Sequence, residues 1–287
     1  MGKKTQILDF FRRAFRNPAC ENVIRSMISS VTFGGLGTRL APNYTLYRPG
    51  TMRSFQSNGG CFQVDISDYI GHRSYFGFSD PGFDELLLLA HGKQTVFDIG
   101  ANIGFTAITM SKRLSINGTV YAFEPDPFNF CRLSKNIELN PEATIFQQKQ
   151  GLGSEKTELK LAVVTPHNLG GNRIVQDAVS DFTLVPITTL DDFCAEHGVE
   201  RVDLIKIDVE GFELNVLQGG ETVISRDLPD IFIEINDDNL TQHGNSAREV
   251  LEFLEALYAT LYNAETKKPI RATDDFTKCH FDLVAKK

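Results

Sequence analysis

From residue 95 onward, short apolar runs alternate with helix-like stretches, and this rhythm limits the fold more than any other feature of the sequence. "TVFDIG" precedes a helical pattern over 103–115, and "TVYAFEP" precedes one over 127–139. "ATIFQQK", "LKLAVV" and "TLVPIT" follow, then a helical stretch at 189–197. "VDLIKIDV" leads into 211–225, "DIFIEIN" into 246–259, and "HFDLVAKK" closes the chain. Strands that alternate with helices predict an α/β fold: a mostly parallel central sheet with helices on both faces. Residues 1–60 read as an N-terminal extension of one helix and short strands, and residues 61–287 as the main domain.

In such sheets ligands bind beyond the carboxyl ends of the strands, where the strand order reverses. The first strand of the rhythm ends in "DIGANIG". Gly100 and Gly104 allow a sharp turn, and the helix expected after them would offer free N–H groups to a negative group. A dinucleotide fingerprint requires G-x-G-x-x-G, but Asn102 stands where its second glycine belongs. Asp98 also sits at the mouth of the turn, where it would repel a pyrophosphate. A ligand with a cationic part fits better. S-adenosylmethionine has an ammonium, a sulfonium and one carboxylate. Glu124 ends the neighbouring strand, where a carboxylate can accept hydrogen bonds from both ribose hydroxyls. Pro125 stops that strand and Asp126 can cap the next helix. The cofactor-binding set is therefore Asp98, Gly100, Asn102, Gly104, Glu124, Pro125 and Asp126.

These residues, with "LIKIDVEGFELNVLQGG" (204–220), "IFIEIN" (231–236), "QKQGLGS" (148–154) and "ITTLDDF" (187–193), resemble the FkbM-type family of S-adenosylmethionine-dependent methyltransferases. The resemblance covers roughly residues 60–260. It implies a Rossmann-like class I methyltransferase fold and methyl transfer, usually to a hydroxyl oxygen, on a small molecule, sugar or glycan.

Asp208 and Glu210 lie where a buried strand meets the start of a helix, at the same sheet edge. Three roles are open to them. They can favour the helix start, together with Glu213. They can act as a general base or orient the substrate. They can also hold a divalent cation with Glu234, Asp237 or Asp238. No ligand spacing enforces the third, so no metal is expected. Lys206, two residues before Asp208 on the strand, reads as a lysine covering the sheet edge, and strand alternation also allows an ion pair with Asp208. His243 is a further candidate base. The other histidines have no motif context.

Nine Lys/Arg face two Asp/Glu in residues 1–55, a balance of +7, so the rest of a chain of net charge −8 carries −15. The acidic body argues against binding along a phosphate backbone. A nucleic-acid or protein methyltransferase, a cofactor-binding assembly factor without chemistry, and a nicotinamide oxidoreductase are the competing readings. "QILDFFRRAFR" (6–16) gathers Ile7, Phe10, Phe11, Ala14 and Phe15 on one helical face, with Arg12, Arg13 and Arg16 mostly on the other. It reads as a helix docked on the body, with weak membrane-surface association as an alternative. No apolar run approaches the roughly 20 residues needed to span a bilayer. Five scattered cysteines without C-x-x-C spacing fit a reducing compartment, and a cytoplasmic location is expected.

Overall fold

The computed structural model describes residues 9–78, 80–162, 173–175 and 182–287. Two compact units are present. The first contains residues up to 57 and 61–78 of those described, and the second contains 58–60 and the described residues from 80 onward.

The first unit contains helices at Pro18–Ile28, Gly34–Leu40 and Tyr69–Phe76, with strands β1 (Met52–Ser57) and β2 (Gly60–Asp65) paired in a two-stranded sheet. Residues 9–12 are helical and run into a 3-10 turn at Arg13–Phe15, while residues 6–8 of the expected helix lie outside the described residues. The expectation of one helix and short strands in the N-terminal extension missed most of these helices. Their signal lies in caps rather than periodicity: Asp68 accepts from Ile70 N and Gly71 N. In the second unit, Asp80 likewise caps a helix at Pro81–Ala90, which has proline at its first position.

The main sheet of the second unit uses β3 (Thr95–Ile99), β4 (Thr119–Phe123), β5 (Ile145–Gln148), β10 (Leu204–Ile207), β11 (Asp230–Asn236), β12 (Thr260–Asn263) and β13 (His280–Lys286), in the order β5-β4-β3-β10-β11-β13-β12. β13 runs antiparallel to both its neighbours, β11 and β12; the other pairings are parallel. The order reverses between β3 and β10, which makes their carboxyl ends the switch point. The expected α/β architecture is therefore present.

Three further expectations are corrected. Residues 159–162 of "LKLAVV" and "TLVPIT" lie outside the main sheet, and residues 163–164 fall outside the described residues. They form β7 (Thr157–Ala162) and β9 (Thr183–Thr188) of a side sheet ordered β6-β9-β7-β8, with β6 at Gly151–Leu152 and β8 at Arg173–Val175. β7 pairs antiparallel with β8 and β9, which needs no helical crossover. The helix expected over 103–115 spans only Phe105–Ser111. The stretch 211–225 is two helices, Glu213–Gln218 and Glu221–Asp227, divided at the poor helix formers Gly219 and Gly220.

Strand alternation builds two cores. Phe97, Ile99, Phe123, Ile205, Ile207, Ile231 and Ile233 pack on one face with the helices at 190–197, 213–227 and 247–255. Val96, Val120, Ala122, Leu204, Phe232 and Val284 pack on the other with the helices that follow Pro81, Phe105 and Pro127. Each buried Leu, Ile or Val contributes about 1.5–3 kcal/mol. Asp98, Glu124, Lys206, Asp208, Glu234 and Asp282 follow the alternation of the second face, at or near the carboxyl ends of the parallel strands. No helix among the described residues is long and apolar enough to cross a membrane.

Candidate active site

The turn after β3 is held from below. Gly100 N and Ala101 N both donate to Phe123 O, at 3.0 and 2.9 Å. Gly100 adopts φ +83°, and a Cβ built on it would stand 1.9 Å from Asp208 O. The first cofactor-turn residue thus presses directly on the backbone of a predicted catalytic residue. Asn102 takes the left-handed conformation at φ 51°, which asparagine tolerates better than most residues. This aims its N–H at Glu124 Oε2, 2.7 Å away. Gly104, at φ 87°, precedes the helix that starts at Phe105.

Glu124 is buried and also accepts from Asp126 N at 2.9 Å. Burial outweighs these two N–H donors and pushes its carboxyl up to about 8. Each oxygen retains a second lone pair for a hydroxyl donor. Pro125 leads directly into Asp126. Asp126 Oδ1 accepts from Phe128 N and Asn129 N, both at 2.8 Å, so Asp126 caps the helix as its sequence position suggested.

Asp98 differs from the expectation of a bare anion at the mouth. It is fully buried, and its charge is met inside the protein. Lys206 Nζ lies 3.2 Å from Asp98 Oδ1 and 3.5 Å from Asp208 Oδ2, and donates to Gly100 O at 2.9 Å. Thr106 Oγ1 donates to Asp98 Oδ2. Lys206 does not cover the sheet edge: it is itself buried. Burial opposes its charge, but Asp98 and Asp208 outweigh burial and hold the ammonium above its ordinary value. Lys206 therefore ties the cofactor turn to the strand end.

Asp208 is open to solvent, with 44% of its side chain exposed. Glu210 is not in a helical turn. It sits at φ 55° before the helix, and Asn239 Nδ2 donates to its Oε2 at 2.8 Å. The helix-start role belongs to Glu213 alone: it is buried, and its Oε1 accepts from Val209 N and Gly211 N at 3.1 and 3.0 Å. Burial pushes its carboxyl up to about 7. A Cβ on Gly211 would fall 2.5 Å from Asn239 O and 2.8 Å from His243 Cδ2, so the Glu210 turn packs closely on the segment carrying His243. The His243 ring meets Phe212 edge-on at 5.7 Å. Asp208, Glu210 and His243 thus share one region beside the cofactor turn.

Sequence reasoning missed His280. Its Nε2 lies 2.9 Å from Glu234 Oε1, and Glu234 and Asp282 are direct partners across β11 and β13. The hydrogen bond to Glu234 raises His280 to about 9, while burial and then Asp208 push Glu234 up. Burial followed by Asp208 and Glu234 pushes Asp282 to about 7. The available signal was the alternation in "HFDLVAKK", which puts His280 and Asp282 on one face. Among the described residues, no group of three or more His, Cys, Asp or Glu is placed to hold a metal ion.

Known methyltransferases match parts of this chain. It is 29% identical over 143 residues to Methyltransferase 1 of Beauveria bassiana, covering 43% of this chain and 57% of that one. It is 29% identical over 134 residues to the hexuronic acid methyltransferase AglP of Haloferax volcanii, covering 47% and 53%. It is 28% identical over 188 residues to the 2-O-methyltransferase NoeI of Sinorhizobium fredii, covering 58% and 73%. The match thus spans little more than half the length of the first two relatives. A crystal structure of methyltransferase FkbM from Methylobacillus flagellatus aligns over 96% of this chain and 60% of its own, at 15% identity and a TM-score of 0.43. The methyltransferase FkbM domain model matches residues 98–259, more than half of the chain, and the protein belongs to that family.

Proposed function

We propose that the protein is an S-adenosylmethionine-dependent O-methyltransferase acting on a hydroxyl of a small molecule, sugar or glycan. The carrying observation is the direct abutment of the turn at Gly100, with Glu124 behind it, on the backbone of Asp208, the strand-end residue whose carboxylate is open to solvent. The names of NoeI, a 2-O-methyltransferase, and AglP, a hexuronic acid methyltransferase, support a sugar-like acceptor. The free cysteines support a reducing compartment, and we place the enzyme in the cytoplasm.

The donor set fits this cofactor. Glu124 would take the ribose hydroxyls, with Asn102 N–H fixing its carboxylate. Asp208 and Glu210 would face the cationic end and the acceptor. When bound, S-adenosylmethionine supplies a methyl carbon on a sulfonium that leaves as a neutral thioether. Asp208 or Glu210 would take up the proton that the acceptor hydroxyl gives up. Alignment of the two reactants supplies most of the acceleration, up to about 7–11 kcal/mol in ideal cases.

Transfer of a labelled methyl group from S-adenosylmethionine to a metabolite or glycan extract tests the reading directly. With the product identified, Asp208→Asn and Glu210→Gln are expected to lower turnover by roughly 10²–10⁴-fold. Cofactor affinity, measured by calorimetry, should fall much less than turnover, because Glu124 and the turn after β3 are the main anchors. Wild-type turnover in both variants would remove the base assignment.

Glu124 gives a pH signature. Its folded value of about 8 lies above that of the unfolded chain. Stability from the neutral form is therefore fully present below the unfolded value and lost as pH rises through about 8. Ribose hydroxyls prefer the ionised acceptor, so binding runs the other way. The dissociation constant should fall by up to about tenfold from pH 7 to pH 9. Glu124→Ala should bind much more weakly and with a flat pH profile; an unchanged profile would dismiss the ribose role.

A further inference from the structure

The first unit carries apolar and cationic surface that methyl transfer does not use. Phe10 is 70% exposed and Val31 is fully exposed, while Phe11, Phe33 and Leu36 are about half exposed or more. These side chains belong to one small body. Arg12 Nε and Nη2 both donate to Arg39 O, at 2.9 and 2.7 Å, tying residues 9–12 to the helix Gly34–Leu40. That helix packs backbone to backbone on Pro18–Ile28: a Cβ on Gly37 would stand 2.8 Å from Ile28 N.

The same stretch is strongly cationic. Its two acids between residues 9 and 55 are already matched. Asp9 pairs with Arg12 at 3.0 Å, and the buried Glu21 pairs with Arg53 at 2.7 Å. Arg25 lies over the Phe55 and Tyr75 rings. Among the described residues no carboxylate pairs with Arg13, Arg16, Arg39 or Arg48, and all four are exposed. Lys3 and Lys4 add two further charges.

We propose that this unit binds the surface of an anionic lipid bilayer. Exposed phenylalanine, valine and leucine sink into the boundary between headgroups and acyl chains, while the arginines meet lipid phosphates. Charge and apolarity select this occupant together. A nucleic-acid backbone would use the arginines but offers nothing to Val31 or Leu36. A neutral bilayer would use the apolar side chains and leave the arginines unmatched. Exposed apolar side chains together with cations on one compact unit are a means by which proteins attach to a membrane without crossing it. The attachment is independent of the methyl-transfer reading.

Co-sedimentation of the full chain with vesicles tests the proposal. The vesicles are phosphatidylcholine alone, or phosphatidylcholine with about a third phosphatidylglycerol, at low and high salt. Each arginine near an anionic surface strengthens attachment by roughly fivefold. Partition onto the anionic vesicles should exceed that onto neutral ones by at least about tenfold and weaken in high salt. The variant Phe10→Ser/Phe11→Ser/Leu36→Ser and the variant Arg13→Gln/Arg39→Gln should each lose at least about tenfold. Both alter exposed side chains, and an unchanged urea midpoint verifies that they fold. Equal partition onto both vesicle types, undiminished binding by both variants, or release of the protein from vesicles by a short RNA would each overturn the proposal.

Discussion

Lys206→Met is expected to lower the unfolding free energy by about 3–5 kcal/mol, the cost of leaving a buried charge without its partner. The expectation rests on placement. Lys206 and Asp98 are both buried, 3.2 Å apart, and Lys206 also holds Gly100 O and reaches Asp208. Methionine fills a similar volume, so the loss is electrostatic rather than a cavity. Urea denaturation of Lys206→Met, Asp98→Asn and the double variant separates the pair from its parts. The double variant should be more stable than Lys206→Met, because no bare carboxylate remains. Strict additivity of the two single effects would show that the groups do not stabilise one another. Cofactor affinity should fall in parallel, since Lys206 anchors the carbonyl of the first turn residue.

Gly100→Ala is expected to weaken cofactor binding by at least about a hundredfold, because the turn cannot keep its shape. Two costs act together. Left-handed backbone costs roughly 1–2 kcal/mol for a residue with a Cβ. The Cβ would also stand 1.9 Å from Asp208 O, a backbone atom that a side-chain rotation cannot clear. The carboxyl ends of β3 and β10 would have to separate, disturbing the Lys206 bond to Gly100 O as well. Gly92→Ala is the control. Gly92 also has positive φ, but nothing lies within 4 Å of its Cβ position. It should show the modest backbone cost and normal binding when both variants are measured by thermal unfolding and calorimetry. Equal behaviour of the two variants would show that contact with Asp208 is unimportant.

The parts of this protein visible in its sequence are those encoded by local rhythm. Alternation in "TVFDIG" and "VDLIKIDV" gave the strands and the face each residue occupies. The spacing of Gly100, Asn102 and Gly104 gave the turn, and the position of Glu124 gave its neighbour. What stayed hidden depends on partners distant in the chain. Lys206 looked like an edge residue because its counter-ion Asp98 is distant in the sequence, as is the Gly100 carbonyl that it also holds, 106 residues earlier. His280 carried no motif because its meaning comes from β13 lying antiparallel beside β11. The side sheet looked like a continuation of the parallel sheet because a strand's own period does not name its neighbour. Glu210 looked like part of a helix because nothing in "DVEGFE" marks which residue takes a positive φ. The helices after Asp68 and Asp80 were written in capping residues, which periodicity does not register.

The pairing of Lys206 with Asp98 also bears on how the chain reaches this fold. The two residues are direct partners across β10 and β3. A slip of one residue would turn every side chain of β10 to the opposite face. An all-apolar strand could tolerate that exchange, since both faces of this sheet pack against apolar cores. Here the slip would strand an ammonium in one core and a carboxylate in the other. The buried pair thus acts as a proofreading device during assembly, making the misaligned sheet far costlier than the native one at the strands on which the site is built.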